Sequence, residues 1–322
     1  MRILVTGATG FVGRHLTAHL HDQQPDDLLF GTTKPDLSDA TELAGMTIYP
    51  VDLRERDAVL TLVGETRPDQ IYHLAAQAAV GATFSDPWDT LETNIHSQLN
   101  IFEACAVHNL KPRVLVVSSG EIYATANRDD RPTDEFALPQ PSSPYSVSKI
   151  TQEALGLQYF HSQQIPVLIS RPFNQIGPGQ NLGFVAPDFA SQIAKIEAGQ
   201  QSPLMRVGNL EARRDFTDVR DSVRGQRLIM KQGVPGEIYN IASGIAYPVQ
   251  QVLDTLLNLT TTNISVEPDP ARMRPSRVPL VWGDSSKLHQ LTGWQPMIPF
   301  EQSLREILND FRQRVSQSSA ST

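Results

Sequence analysis

The 322-residue sequence contains one cysteine, Cys105, and no excess of positive charge: 35 Asp and Glu outweigh 27 Lys and Arg, for a formal net charge of −8. A single cysteine excludes a disulfide framework and any cysteine-based zinc site. The acidic balance argues against a nucleic-acid or anionic-membrane surface. No apolar run approaches the roughly 18 residues that a membrane span needs. The first residues already read as a strand, without the charged and apolar regions of a signal peptide, so the cytoplasm is the expected compartment. The hydrophobic content, 40%, suffices for a large core in two domains, or in one domain with an appended lobe.

The chain opens on an apolar strand that runs into glycines, Ile3-Leu-Val-Thr6-Gly7-Ala-Thr9-Gly10-Phe11-Val12-Gly13. Gly7 permits a tight turn, Gly10 lets backbone approach a phosphate, and Gly13 lets a following helix pack on the strand. The start of that helix offers free N–H groups and the positive end of its dipole. The spacing is G-x-x-G-x-x-G, and a strand-to-helix turn without a ligand is the bland alternative. A second strand reads Leu28-Leu29-Phe30-Gly31. After it, a fold selecting NAD usually places Asp or Glu on the ribose 2′-OH, whereas this chain has Thr32-Thr33-Lys34. The missing acid favours NADP(H), with NAD(H) as the alternative and a solvated Lys34 as the bland reading. His15 and His19 are four apart, but no third ligand accompanies them, and no metal site is expected.

Strand three, Met46 to Val51, ends at Asp52-Leu53, a natural edge for adenine. Strand four is Ile71-Tyr-His-Leu74-Ala75-Ala76, a continuous apolar run of the kind buried on both faces of a parallel sheet. Pro87 to His108 is helical, with Leu91, Ile95, Leu99, Phe102 and Ala106 as its expected apolar stripe and Asn94 near its middle. Strand five, Val114 to Val117, leads to Ser118-Ser119-Gly120-Glu121-Ile122-Tyr123, and strand carboxyl ends are where ligands bind in open α/β sheets. Ser143-Pro144-Tyr145-Ser-Val-Ser-Lys149 then opens a helix. Tyr145 and Lys149 share one face, so the ammonium can stabilise a phenolate whose unaided pKa is about 10. A surface helix pair is the alternative for this motif alone.

Together, T-G-A-T-G-F-V-G, H-L-A-A, V-S-S-G-E-I-Y, Y-S-V-S-K and R-P-F-N-Q-I-G-P-G resemble the extended short-chain dehydrogenase/reductases that act on nucleotide sugars. Val207-Gly-Asn209-Leu-Glu-Ala-Arg-Arg214-Asp215-Phe-Thr-Asp218-Val is similar to their GDP-mannose branch, and within it to the reductases of GDP-4-dehydro-6-deoxy-D-mannose. The resemblance covers nearly the whole chain. It implies a doubly wound parallel sheet of Rossmann type with a smaller C-terminal lobe. The dinucleotide-binding domain is expected over 1–175 and 211–243, the nucleotide-sugar lobe over 176–210 and 244–314, and a disordered tail over 315–322.

The resemblance also implies roles for residues. Ser119 and Tyr145 hold the sugar oxygen, Lys149 holds the nicotinamide ribose and tunes the tyrosine, and Glu121 is a further catalytic candidate. The expected cofactor contacts are Gly7, Thr9, Gly10, Phe11, Val12, Gly13, Thr33, Lys34, Asp52, Leu53, Leu74, Ala75, Ala76, Asn94, Tyr145 and Lys149. Asn174, Val185, Arg214 and Arg274 are the expected substrate contacts, the first and third on the diphosphate, and an ion pair with Asp215 or Asp218 is the alternative for Arg214. Relatives carry R-P-[ST]-E-V near the nucleotide, where this chain has Arg274-Pro-Ser-Arg277-Val278, a reversed charge. The implied reaction is reduction of the C4 ketone of GDP-4-dehydro-6-deoxy-D-mannose to GDP-D-rhamnose with NADPH, by a homodimer. A 4,6-dehydratase or epimerase is the rival within the fold, and a non-catalytic NADP-binding sensor or scaffold the rival from another class. Dehydratases of this kind carry Thr-Ser-Glu or Thr-Asp-Glu where this chain reads Ser119-Gly120-Glu121.

Overall fold

The apolar runs become the strands of one parallel sheet. A computed structural model of the chain describes residues 1–37, 43, 45–78, 83–123, 131–272 and 279–320, without the side chains of 318–320. β1 (Arg2–Thr6), β2 (Leu28–Thr33), β3 (Met46–Pro50), β4 (Gln70–His73), β5 (Arg113–Val117), β6 (Val167–Pro172) and β10 (Ile238–Ile241) form a seven-stranded sheet in the order β10-β6-β5-β4-β1-β2-β3. Every pairing in it is parallel. The order reverses between β1 and β4, which opens a crevice at their carboxyl ends.

Side chains alternate across the sheet, as the strand period of two requires. Ile3 and Val5 face a core closed by α1 (Phe11–Gln23) and α6 (Val219–Gln232), which supply Leu16, Leu20, Val223, Ile229 and Met230. Leu4 and Ile71 face the other way, toward Val59, Leu62 and Val63 of α2 (Arg56–Thr66), Ile101, Phe102 and Cys105 of α3 (Pro87–Val107), and Tyr159 of α4 (Pro144–Gln163). Of the expected stripe of α3, Phe102 is fully buried, but polar residues make up much of the buried face. Thr90, Asn94, Ser97, Gln98 and Asn100 are buried with Ile101, Phe102, Ala104 and Cys105, while Leu91, Ile95, Leu99 and Ala106 are half-buried. Hydrogen bonds decide this: Gln98 Nε2 donates to Gln152 O at 2.7 Å, and Asn100 Nδ2 to Leu53 O at 2.9 Å.

The lobe has its own core, where α5 (Val185–Glu197), α7 (Val249–Leu257) and α9 (Phe300–Ala320) meet through Phe189, Ile193, Leu253, Leu256, Leu304 and Leu308. A short parallel pair, β8 (Leu204–Val207) with β12 (Ser265–Pro268), flanks it. β9 (Arg213–Asp218) joins not the main sheet but a small one, pairing β7 (Asn174–Ile176), β11 (Ala246–Pro248) and β13 (Leu280–Val281). Leu288 of α8 (Ser286–Thr292) and the fully buried Trp294 pack on the dinucleotide side, against α6. The expected disordered tail is helical up to Ala320, and Val315 is buried because it closes the lobe core.

Candidate active site

The glycine turn is shaped by close approach. Gly7 has φ +68°, and its N–H donates to Thr32 Oγ1 at 3.1 Å. A Cβ on Gly13 would stand 2.2 Å from the Gly7 carbonyl oxygen and 2.7 Å from that of Ala8, so only glycine lets α1 start there. The N-cap of α1 is Gly10; it makes no side-chain cap, and no acid occupies the first turn. The orphan N–H groups at this helix start are left to an anion, so the cradle fits a pyrophosphate. Phe11 and Val12 are half-buried in the first turn, and Phe11 stacks edge-on against His15, whose Nε2 meets Pro178 O at 2.9 Å. Among the described residues, no group of three His, Cys, Asp or Glu is placed to hold a metal ion.

Beside the turn, Thr9 Oγ1 meets Thr33 Oγ1 at 2.8 Å, and Lys34 is exposed. Asp52, expected at adenine, is engaged by a residue the sequence did not single out. Arg54 Nη2 donates to its Oδ2 at 2.6 Å, and this hydrogen bond chiefly holds the carboxyl below its ordinary value, Lys34 adding a smaller pull. Leu53 is buried. On the other side of the crevice Thr6 Oγ1 accepts from the N–H groups of Leu74 and Ala75, both at 3.1 Å, and meets His73 Nδ1 at 2.9 Å. Ala75 then packs on Gly7, while Ala76 is half-buried.

The helix that carries Tyr145 is fixed at its start. Ser143 and Ser146 cap one another reciprocally, with Pro144 in the first turn. Tyr145 is 8% exposed and Lys149 3%. Burial pushes the Tyr145 phenol up to about 12, opposed by a hydrogen bond with the Ser119 side chain. Lys149 Nζ donates to Val117 O at 2.8 Å and lies 5.7 Å from the centre of the Tyr145 ring. Ser119, rather than Lys149, is thus the partner that offsets burial at the phenol. Burial also brings Lys149 down to about 7, with the charge of Glu153 working against it. Asn94 Nδ2 donates to Ser148 Oγ at 2.9 Å, and its Oδ1 accepts from Gln77 N at 2.7 Å, which ties α3 to α4.

Behind Ser119, Glu121 N donates to Ser119 Oγ at 3.1 Å. Burial raises the Glu121 carboxyl, and the Arg214 guanidinium pulls it back. Burial lowers Arg214 in turn, opposed by Glu121. The acid and the arginine are thus close enough for each to favour the charged form of the other. Asn174 Nδ2 donates to the backbone oxygen of Asp215 at 3.1 Å. Asp215 is a hub that the sequence offered only as an ion-pair partner. Its carboxylate accepts from Ser243 N, Ser243 Oγ, Gly244 N and Gly283 N at 2.6 to 3.2 Å, while burial pushes its pKa up to about 6. Val185 begins α5, half-buried. Arg274, with Arg277, lies outside the described residues.

Hydrogen bonds and charge couplings thus link Ser119 to Tyr145 and Glu121, and Glu121 to Arg214, while Lys149 reaches the carboxyl end of β5 through Val117 O. Comparisons with known proteins bear on the family. The chain is 36% identical to GDP-6-deoxy-D-mannose reductase of Pseudomonas aeruginosa, over 98% of each chain. The structure of RMD from Pseudomonas aeruginosa complexed with NADPH superposes with a TM-score of 0.83 at 33% identity, covering 98% of this chain and 100% of that one. UDP-glucose 4-epimerase of Thermotoga maritima with UDP-glucose superposes with a TM-score of 0.86 at 25% identity, with the same coverage. The family model for GDP-mannose 4,6 dehydratase matches residues 4–307, and the chain belongs to that family.

Proposed function

We propose that the protein reduces the C4 ketone of GDP-4-dehydro-6-deoxy-D-mannose to GDP-D-rhamnose with NADPH, NADH being the alternative reductant. The observation that carries this reading is geometric: Tyr145 is a buried phenol hydrogen-bonded to Ser119 at a strand end, with Lys149 one turn further along the helix and 5.7 Å from its ring. A positioned phenol of this kind can hand its proton to an emerging alkoxide. The similarity to a GDP-6-deoxy-D-mannose reductase over 98% of the chain supports the same substrate.

In this reading the turn from Gly7 to Gly13 and the start of α1 hold the pyrophosphate, Thr9, Thr33 and Lys34 the 2′-phosphate, and Asp52 and Leu53 the adenine. Leu74, Ala75, Ala76 and Asn94 wall the nicotinamide half. The bound cofactor supplies the hydride that C4 accepts, and is itself oxidised to NADP⁺. Ser119 orients the ketone oxygen, Tyr145 gives that oxygen its proton, and Lys149 hydrogen-bonds the nicotinamide ribose while its charge supports the phenolate left behind. Asn174 and Arg214 take the diphosphate, an amide and a guanidinium fork suited to it. Val185 and Arg274 complete the nucleoside end.

A dehydratase is the second reading, favoured by the half-buried carboxyl of Glu121 with its raised pKa. Against it, position 120 has no side chain, and a Cβ there would stand 2.8 Å from the Phe173 ring. The half-buried stripe of Leu91, Ile95 and Leu99 on α3, with Val147 exposed on α4, supports a homodimer through these two helices. No helix among the described residues is long and apolar enough to cross a membrane. The deciding assay supplies GDP-4-dehydro-6-deoxy-D-mannose with NADPH and looks for GDP-D-rhamnose, then supplies GDP-mannose with NADP⁺ and looks for the 4-keto sugar. Turnover in the first assay is expected. Rapid turnover in the second with none in the first makes the protein a dehydratase.

A further inference from the structure

One turn beyond Lys149 on α4, Glu153 is buried, with 5% exposure. A carboxylate in that setting needs a partner. It has a bidentate one: Arg171 Nε donates to Oε1 at 2.8 Å and Nη2 to Oε2 at 2.6 Å. Arg171 sits on β6, only 3% exposed. Its Nη1 donates to the hydroxyl of Tyr123, and its guanidinium lies 4.9 Å from the centre of the Tyr123 ring. Tyr123 OH donates onward to Asn240 Oδ1 at 3.2 Å, and Asn240 N donates to Glu135 Oε1 at 2.7 Å. One polar chain thus joins α4, the turn that follows Ser119, β6 and β10. These are the elements that bring Ser119, Tyr145 and Lys149 together.

A buried ion pair can often be replaced by apolar side chains without loss of stability, so its presence at this place calls for another reason. The neighbours of Lys149 supply one. From its own helix it meets Tyr145, whose phenol is neutral, and Glu153. From β5 it meets the Val117 carbonyl, and from β4 His73, which burial holds neutral at about 3. Arg171 of β6 stands on the far side of Glu153 and Tyr123 behind that. Glu153 is the one anion among these neighbours, and its charge is what opposes the burial of Lys149.

We propose that Glu153, oriented by Arg171, is a positioning residue that favours the ammonium form of Lys149 and clamps the turn from Ser119 to Tyr123 against the catalytic helix. This rests on the roles given above to Tyr145 and Lys149. Arg171 fixes which way the carboxylate points, and Tyr123 passes that constraint to the strand end. Loss of the Glu153 charge leaves Lys149 to lose its proton at lower pH, and with the proton its charge-assisted hold on the ribose.

The test is Glu153→Gln, which keeps the shape and one acceptor for Arg171. NADPH binding is followed by cofactor fluorescence between pH 6 and 10, beside the pH profile of kcat/KM. Binding is expected to weaken on the alkaline side about one pH unit earlier than in the wild type, so that near pH 8 affinity falls about tenfold while at pH 6 it is nearly unchanged. If Glu153→Gln does not fold, the double variant Glu153→Gln with Arg171→Met removes the unpaired guanidinium and is expected to show the alkaline limb displaced to lower pH as well. Tyr123→Phe, which keeps the charge and cuts the link to the turn, is expected to lower kcat without moving the binding limb. A wild-type pH profile for NADPH binding in the folded charge variants overturns the proposal and leaves the pair a packing feature. A wild-type protein inactive on the ketone, whose NADPH limb still shifts in Glu153→Gln, overturns the substrate reading and upholds the role of Glu153.

Discussion

Two helices meet the carboxyl ends of the sheet by opposite means. α1 arrives bare: its N-cap is glycine, its first turn carries no acid, and the groups it aims at the crevice are backbone N–H. α4 arrives capped by its own serines and loaded with side chains, Tyr145, Lys149 and Glu153 at successive turns of one face. The first surface does not titrate, and it is shaped by how closely backbone approaches backbone. The second is electrostatic throughout, with a buried phenol raised to about 12 and a buried ammonium lowered to about 7 on one helix face. Phosphate binding by backbone is thereby assigned to α1, and proton chemistry together with the charge-dependent hold on the ribose to α4.

The largest expected effect breaks the α4 side only. Tyr145→Phe removes the proton donor and is expected to lower kcat by about 10²–10⁴-fold while NADPH affinity stays within about threefold of wild type. A titration of cofactor fluorescence beside steady-state rates checks both halves. Turnover near the wild-type rate in the Phe variant means that another group, Glu121 first, delivers the proton.

The α1 side is broken by Gly13→Ala. The added methyl meets backbone oxygen at 2.2 Å, so the turn has to open. Overpacking of this kind costs about 1–3 kcal/mol, and NADPH affinity is expected to fall about 10- to 100-fold by the same factor at pH 6 and pH 9. A pH-dependent loss contradicts the assignment of a non-titrating surface to α1.

Between the two helices, His73 bridges Thr6 of the β1 end and Gln152 of α4, with its Nδ1 2.9 Å from Thr6 Oγ1 and its Nε2 3.2 Å from Gln152 Nε2. Burial holds it near 3 against an ordinary value of 6.5. The unfolded chain therefore binds the extra proton between those values. Stability is lost as pH falls from 6.5 toward 3, by up to about 1.4 kcal/mol per pH unit. Asp215, raised to about 6 from 3.8, binds its proton more readily when folded and acts with the opposite sign over its window. The difference between wild type and His73→Gln in urea unfolding, measured at several pH values, isolates the histidine. A wild-type pH slope in His73→Gln shows that His73 is not the group responsible.

The smallest effect sharpens the comparison at the ribose. Lys34 is exposed, so its pull on a 2′-phosphate is screened. Lys34→Ala is expected to lower the NADPH-to-NADH ratio of kcat/KM by about 3- to 10-fold, less at high salt. An unchanged ratio removes Lys34 from cofactor choice and leaves Thr9 and Thr33 as the candidates.

Features written within a few residues of one another were legible in the chain itself. The glycine turn, the strand and helix alternation, and the helix opening at Ser143-Pro144 with Tyr145 and Lys149 on one face are such features. Backbone sterics and the helical repeat act over a single turn, so adjacent residue types suffice to specify them. Tertiary structure alone decided which face of α3 is buried, since a polar stripe goes inward only when Leu53 O and Gln152 O wait there for its amides. It also decided that β9 leaves the main sheet, that Arg54 takes Asp52, that Asp215 gathers donors from Ser243, Gly244 and Gly283, and that Arg171 comes to Glu153. Each of these is a charge or hydrogen bond between segments set side by side by the fold. Its strength depends on burial and geometry that no local pattern of residues contains.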